Sequence, residues 1–502
     1  MLGSSDDVAV ALKPVAAGQI LPNLQLTALS DIPAGHKFAI RAIASGQPVR
    51  KFNQIIGFAT QPIAIGEHVH THNLVTGDFE RDYAIGSEAR PTEFVASSEL
   101  ATFRGILRPD GRVATRNYVG ILTTVNCSAT VARRIAAHFT PELLRAYPNV
   151  DGVVAITHGT GCGMAEHGEP ADLLRRVFAG YATHPNFGAV LLLGLGCETN
   201  QIEPLIPLTG QTSALRTSTI QDEGGTAASI CRGIATVLEL LDQANQATRT
   251  SVPVSQLVVG LQCGGSDAYS GISANPALGA AVDILVRNGG TAILSETPEI
   301  YGAEHLLTRR SSTREVAERL IERIHWWEEY TARHRGSIDN NPQPGNKTGG
   351  LTTIIEKSLG AISKGGTTNL NQVYLYAEPI GGPTQEKGLV FMDSPGFDPV
   401  SATGQVASGA NLLCFTTGRG SVFGCKPTPS LKLASNTALY NRMADDMDIN
   451  CGSIIDGDQT VEQAGAIIFR EMLAVASGKP TRSEEHGFGE EEFQPWLQSA
   501  TL

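Results

Sequence analysis

Short apolar runs, each closed by a glycine-rich polar turn, recur along most of this chain. The clearest is residues 255–261, followed by Gln262-Cys263-Gly264-Gly265. An apolar run of that length, bounded by small turn residues, predicts a buried strand. Asn275 is then expected to cap a helix with Pro276 in its first position. Ala277, Leu278, Ala281, Val282 and Leu285 follow at helical spacing. Gly289 and Gly290 end that helix, and residues 291–295 predict the next strand. Such a unit sets polar side chains at the carboxyl ends of parallel strands, where open α/β sheets bind ligands.

The same alternation predicts strands at 119–125, 152–157 and 188–194, with helices after Ser128 and near 224–241. Further on it predicts a helix starting at Thr297-Pro298-Glu299, a long amphipathic helix over 313–334 and another over 351–359. Two more strands are expected at 388–392 and 412–416. The first 85 or so residues read differently. Short apolar stretches at 8–12, 37–43 and 55–59 are separated by Pro and Gly turns, without helical periodicity. Residues 78–100, rich in Glu, Arg, Ser and Pro, read as a connector, and the stretch after Gly478 reads as an acidic tail. The expected class is α/β, with a small N-terminal β-rich domain followed by two α/β domains of mostly parallel sheet. The expected boundaries are 1–90, a linker at 91–102, then 103–250 and 251–502.

Composition narrows the classes. A chain of 502 residues is too long for one core. A formal net charge of -12 gives no electrostatic case for nucleic acid. No apolar run approaches a membrane span, and the first residues carry no basic or apolar leader. A cytoplasmic protein is therefore expected, and its eight cysteines are expected to be thiols, ligands or core residues rather than disulfides. An assembly of identical chains is left open.

Candidate chemistry gathers at the strand exits. Cys127, Cys162, Cys197 and Cys263 each stand just past an expected strand, beside Gly, Asn or Ser, whereas Cys231 and Cys414 read as core residues. Thiolates suit iron or zinc, but no CxxC pair or compact iron–sulfur run occurs, and a small residue in a crowded turn explains a single cysteine equally well. His158 shares the exit of Cys162. Glu198, Asp222, Glu223, Asp267, Glu296 and Asp393 stand at comparable exits; most are expected to cap helices. In His68-Val69-His70-Thr71-His72, strand spacing would turn three imidazoles to one face, for a metal or a carboxylate; a solvated edge strand is the plain alternative. Arg108, Arg112, Arg116, Lys347, Lys364 and Arg419 lie in loops, where cations suit carboxylate or phosphate recognition. Neither a dinucleotide fingerprint nor a phosphate loop is present, so no nucleotide is expected.

These motifs together resemble the altronate/galactarate dehydratase family of sugar-acid hydro-lyases. The stretches that carry the resemblance are GEHVHTHN, RPDGRVATRNY with TTVNCSATVARRI, HGTGCGM, GLGCETNQ, IQDEGGT, GLQCGGSDAYSGISANPALG, SETPEIYGAEHLL, PQPGNKTGGLTTIIEKSLG, DSPGFDPVSATGQVASGANLLCFTTGRGS and DDMDINCG. They run in order over nearly the whole chain. The resemblance implies an SAF-type first domain and a two-part catalytic body. It implies dehydration of an aldonate or aldarate, altronate favoured, to a 2-keto-3-deoxy acid. A divalent metal is implied, Fe2+ first, with Mn2+ or Mg2+ as alternatives. His70, His72, Cys127 and Cys162 are then the expected metal ligands, and His72, His158 and Lys347 the expected acid–base residues. Arg116, Asn126, Lys364 and Arg419 are the expected substrate contacts. A related lyase expelling another group, as in sulfolactate sulfo-lyase, and a non-catalytic sugar-acid-binding protein are the alternatives.

Overall fold

The computed structural model describes residues 2–209, 214–382 and 385–498. The N-terminal segment forms small antiparallel sheets. One joins Val8–Val10, Lys37–Ala39 and His68–Val69; another joins Pro48–Lys51, Gln54–Ala59 and Leu74–Val75. Residues 78–101 then run without regular structure along the C-terminal part, where Gly86, Glu88 and Val95 donate backbone hydrogen bonds to Thr308, Arg309 and Arg287.

The middle part is a four-stranded parallel sheet of β1 (Tyr118–Thr123), β2 (Gly152–Ile156), β3 (Phe187–Gly194) and β4 (Leu215–Thr219), in the order β2-β1-β3-β4. Side chains alternate across it, as strand geometry requires. Ala189, Leu191 and Leu193 pack on helices α1 (Ala129–Ala136) and α3 (Thr226–Ala244), while Val190 and Leu192 face α2 (Glu169–Ala182). The chain enters and leaves this part through Thr102–Leu107 and Arg249–Pro253, which pair antiparallel with each other. Apolar periodicity does not foretell that ribbon, because its pairing joins segments far apart in the chain.

The C-terminal part holds a seven-stranded parallel sheet. Its strands are β5 (Val258–Cys263), β6 (Thr291–Ser295), β7 (Leu370–Tyr374), β8 (Gly388–Met392), β9 (Leu412–Thr417), β10 (Ser430–Ala434) and β11 (Ile449–Asn450). Their order is β7-β8-β6-β5-β9-β10-β11. Helix α4 (Ala274–Arg287) packs against α8 (Val461–Ala476) on one face; α7 (Asp398–Ser408) covers the other and packs on α2 of the middle part. With both faces covered, β5, β6, β8 and β9 are buried along their whole length, hence their unbroken apolar runs. Strand order reverses about β5, which makes its carboxyl end the switch point.

Some boundaries differ from expectation for local reasons. Helix α5 (Arg314–Arg333) matches its periodicity, and Thr313 caps it by accepting from Val316 N. Helix α6 (Ile354–Ile362) starts three residues late, at its own Thr353 cap. Helix α4 begins at Ala274, and the Asn275 side chain does not cap it; it bridges the Gly360 carbonyl and the Thr416 hydroxyl. Residues 297–299 form only a 3-10 turn. The histidine-rich segment leaves its strand at Val69.

Candidate active site

At the switch point, the ends of β5 and β6 carry Cys263 and, one residue past Ser295, Glu296. Glu296 sits at φ 72°, a left-handed conformation costly for a residue with a β-carbon. Its carboxyl is fully buried. The turn that follows brings Glu299 alongside, 3.2 Å from the Cys263 sulfur, with Glu296 Oε2 at 3.9 Å. Lys364, past the end of α6, donates to that sulfur at 2.9 Å and stands 3.7 Å from Glu296. Lys357, from within α6, pairs with Glu299 at 2.6 Å and donates to Asn341 Oδ1 at 2.8 Å. Asp398 opens α7 at the edge of this group; a β-carbon at Gly264 would collide with its carboxylate.

Burial sets the protonation states. It pushes the Cys263 thiol up to about 12, despite the nearby Lys364 charge. It raises Glu296 well above the usual carboxylate range, with the Glu299 charge adding to it. Burial would raise Glu299 too, but Lys357 and Lys364 outweigh it and hold that carboxylate low. Burial works against the charge on Lys364, yet the surrounding Cys263, Glu296 and Glu299 raise it overall. Burial and the Glu299 charge push Asp398 up to about 6. The centre therefore pairs two ammonium groups with one firm carboxylate, one carboxyl inclined to keep its proton and one acid poised near neutrality.

The donor set also suits a cation. Among the described residues, Cys263, Glu296 and Glu299 are the group of three whose ligand atoms all lie within 4.8 Å of one another. Glu296 Oε1 is buried without any protein partner, an orphaned lone pair of the kind a metal satisfies.

A second charged group adjoins it through α6. Glu356, next to Lys357, turns to the N-terminal part and pairs with Lys37 at 2.8 Å and Lys51 at 2.9 Å, all three buried. Beside Lys37, four imidazoles gather: His36 stacks on His70 with ring centres 4.8 Å apart, and His68 lies 5.5 Å from His70 and 5.4 Å from His72. Burial holds His68 and His70 at about 4, so both are neutral near pH 7.

The residues expected from sequence fall into separate places. His70 and Lys347 do meet, but through the Lys347 carbonyl, 2.9 Å from His70 Nε2. Lys364 lies in the buried centre. Arg419 is exposed, on a pocket of about 210 Å³ shared with Asp267, Thr348, Asn436 and Arg442. Arg116 has no donor left to offer: its five N–H groups go to Glu484 and to the Thr115, Val475 and Lys479 carbonyls. The His158 ring is buried against Phe178 and Phe493, with both nitrogens bonded to backbone at Thr123 and Thr160. Asn126, Cys127 and Cys162 are exposed on the middle part. His70, His72, Cys127 and Cys162 are thus not gathered as one ligand set. Cys231, expected in a core, is exposed on α3, whereas Cys414 is buried in β9.

Sequence reading passed over Glu299, Lys357 and Asp398. Lys357 left a signal, since Glu356-Lys357 interrupts the otherwise apolar helix IIEKSLGAI. Adjacent charges on a buried helix require partners.

Among the described residues, no helix is long and apolar enough to cross a membrane. Three family models match in succession. The SAF domain of altronate/galactarate dehydratases matches residues 1–77, the second domain of D-galactarate dehydratase/altronate hydrolase 105–245, and the C-terminal D-galactarate/altronate dehydratase model 254–501. The chain is 38% identical to the galactarate dehydratase (L-threo-forming) of Escherichia coli K12, over 96% of this chain and 94% of that one. It is 33% identical to the altronate dehydratase of Bacillus subtilis 168, over 97% and 96%. The beta subunit of (2R)-sulfolactate sulfo-lyase from Chromohalobacter salexigens is 31% identical over 78% of this chain and 96% of its own length. On these likenesses the chain is a hydro-lyase that belongs to the galactarate/altronate dehydratase family.

Proposed function

We propose that this protein dehydrates a six-carbon sugar acid to a 2-keto-3-deoxy acid at the switch point of its seven-stranded sheet. The observation that carries this is the convergence of Cys263, Glu296, Glu299, Lys357, Lys364 and Asp398 at the ends of β5 and β6 and the start of α7. The reaction removes the C2 proton, a weak acid beside a carboxylate, and expels the C3 hydroxyl. A base with a pKa near the working pH serves the first step, and Asp398 at about 6 has that property. The expelled hydroxyl needs a proton, and the Lys364 ammonium, within the centre at 2.9 Å from the Cys263 sulfur, is a donor for it. Lys357 and Lys364 keep the centre positive enough to receive the substrate carboxylate as charge builds up at C2. Cys263, Glu296 and Glu299 would hold a divalent ion there, and the thiol among them favours ferrous iron over magnesium. When bound, such an ion supplies Lewis-acid stabilisation of an enediolate.

Arg419 and Arg442, on the neighbouring pocket, are proposed contacts for the far end of the substrate. Altronate and galactarate differ there, since only the latter has a second carboxylate. Altronate is the substrate favoured from sequence; an arginine pair at that end would suit galactarate as well. Lys347 and His72 remain candidate proton carriers at the N-terminal seam.

The test is formation of 2-keto-3-deoxy acid from a panel of aldonates and aldarates. The protein would be stripped of metal and reloaded anaerobically with Fe2+, Mn2+, Mg2+ or nothing. Iron-dependent turnover of one acid is expected, with Asp398→Asn lowering kcat by about 10²–10⁴-fold. Silence on every acid under every metal, with sulfite released from sulfolactate instead, would replace this reading with the sulfo-lyase one.

A further inference from the structure

Three thiols on the middle part take no part in the centre just described. Cys127 lies in the turn after β1, Cys162 in the turn after β2 and Cys197 in the turn after β3; all three are exposed. These strands are neighbours, in the order β2-β1-β3. Cysteine is among the most buried residue types, and Cys263, Cys414, Cys425 and Cys451 of this chain follow that rule. Three exposed thiols on three adjacent strand ends call for a reason.

The turns that carry them are tied together. Asn126 N donates to the Thr160 carbonyl at 2.9 Å, and Asn200 N to the Gly161 carbonyl at 3.0 Å. The Asn200 amide reaches the Thr124 carbonyl at 3.1 Å. Glu198 is buried as a clamp, taking the Thr124 hydroxyl at 2.6 Å and the Leu195 and Gly196 amides at 3.1 and 2.6 Å. Gly161, at φ 101°, presses so closely on Thr124 and Val125 that a β-carbon would collide with them. This scaffold fixes the three turns relative to one another. One of the sulfurs is already furnished with a donor: Gln221 Nε2 points to Cys197 Sγ at 3.3 Å, the kind of contact that tunes cluster sulfurs.

The three thiols do not lie within 4.8 Å of one another as the ligands of one ion do. A polynuclear cluster spaces its cysteine sulfurs more widely than a single ion. We propose that Cys127, Cys162 and Cys197 bind a cubane iron–sulfur cluster whose fourth iron, lacking a cysteine, is open to a hydroxyl or carboxylate oxygen of a small hydroxy acid. Assembly from two ferrous ions, two ferric ions and four sulfides takes the protons from three thiols and forms three iron–thiolate bonds, with no net change in oxidation state. A cavity of about 630 Å³ adjoins this edge, lined by Asn126, Thr160 and Arg133 from the middle part and by Val400 of α7, two residues past Asp398.

The test is spectroscopic and independent of turnover. The full chain would be purified anaerobically and reconstituted with equal amounts of ferrous and ferric iron and with sulfide. The expected result is about four irons and four acid-labile sulfides per chain, with broad visible absorption and a paramagnetic signal on one-electron reduction. Each of Cys127→Ser, Cys162→Ser and Cys197→Ser should lower the sulfide content and the absorption, with circular dichroism unchanged. Cys231→Ser should keep both. Addition of galactarate should shift the reduced signal. Iron without sulfide, no cluster after reconstitution, or equal sulfide in the triple serine variant would each overturn the proposal; an unshifted signal would overturn the open iron. Turnover that survives Lys364→Met, with the cluster intact, would instead count against the Cys263 centre, so the two readings fail separately.

Discussion

The two parallel sheets end in edges built from the same parts and put to opposite use. At the seven-stranded sheet, Cys263, Glu296, Glu299, Lys357 and Lys364 are buried and paired with one another. At the four-stranded sheet, Cys127, Cys162 and Cys197 face outward on turns held by backbone hydrogen bonds and Glu198. A cysteine at or just past the end of a parallel strand occurs at both. Burial alone separates them. Once desolvated, the Cys263 thiol is pushed up to about 12 and its neighbours must balance charge among themselves. A thiol on an exposed turn needs no such balance and stays available to a ligand from outside.

Removing a charge from the buried edge should have the largest effect. Lys364→Met takes the counter-charge from Glu296 and the donor from Cys263. Turnover is expected to fall by about 10²–10³-fold, measured as keto-acid formation against the parent chain. Near-parent turnover would mean that this edge is not the reaction centre.

Stability should answer most to Glu356→Gln, which leaves Lys37 and Lys51 buried without their shared carboxylate. A loss of about 3–5 kcal/mol is expected, read by denaturant unfolding. Burial would raise the Glu356 pKa, but Lys37 and Lys51 outweigh it and hold the carboxylate well below its usual range. Its contribution is therefore complete above the unfolded-state value, about 4.3, and is lost as the pH falls below that. The variant's deficit should shrink in acid accordingly.

Acid should separate the two edges by sign. Burial holds His158, beneath the cysteine turns, at about 4, against the pull of its Thr123 hydrogen bond. The unfolded chain binds that proton near pH 6.5, so His158 stabilises the fold above 6.5 and the benefit is lost as pH falls toward 4. Asp398, raised to about 6, works the other way: its penalty appears as pH rises from about 3.9 to 6 and is relieved in acid. Hydrogen exchange between pH 6.5 and 4, corrected for intrinsic rates, should show residues 157–162 losing protection before the start of α7 does.

The smallest effect is expected at the exposed edge. Cys197→Ser in the metal-free chain should shift stability by no more than about 0.5 kcal/mol, as exposed substitutions do. A loss of several kcal/mol would make that thiol a packing residue and erase the contrast.

The apolar periods by themselves determined seven of the eleven described parallel strands, because a strand buried on both faces is apolar throughout, and β8 is read at Gly388–Met392 as found. Strands β4, β7, β10 and β11 went unread, since polar residues such as Arg216, Asn371 and Lys432 break their runs or the run is too short. The turn chemistry likewise marked Cys263, Glu296 and Lys364 as residues at strand or helix exits. Local sequence could not say which exits are buried, since burial depends on which helices cover them. The pairing of Thr102–Leu107 with Arg249–Pro253 and the docking of α7 on α2 join segments distant in the chain, with no periodic trace. Tertiary structure alone brought Lys357 to Glu299 and Glu356 to Lys37 and Lys51. It also spent Arg116 on Glu484 and His158 on backbone carbonyl and amide groups, because desolvated polar groups take the partners that packing brings within reach.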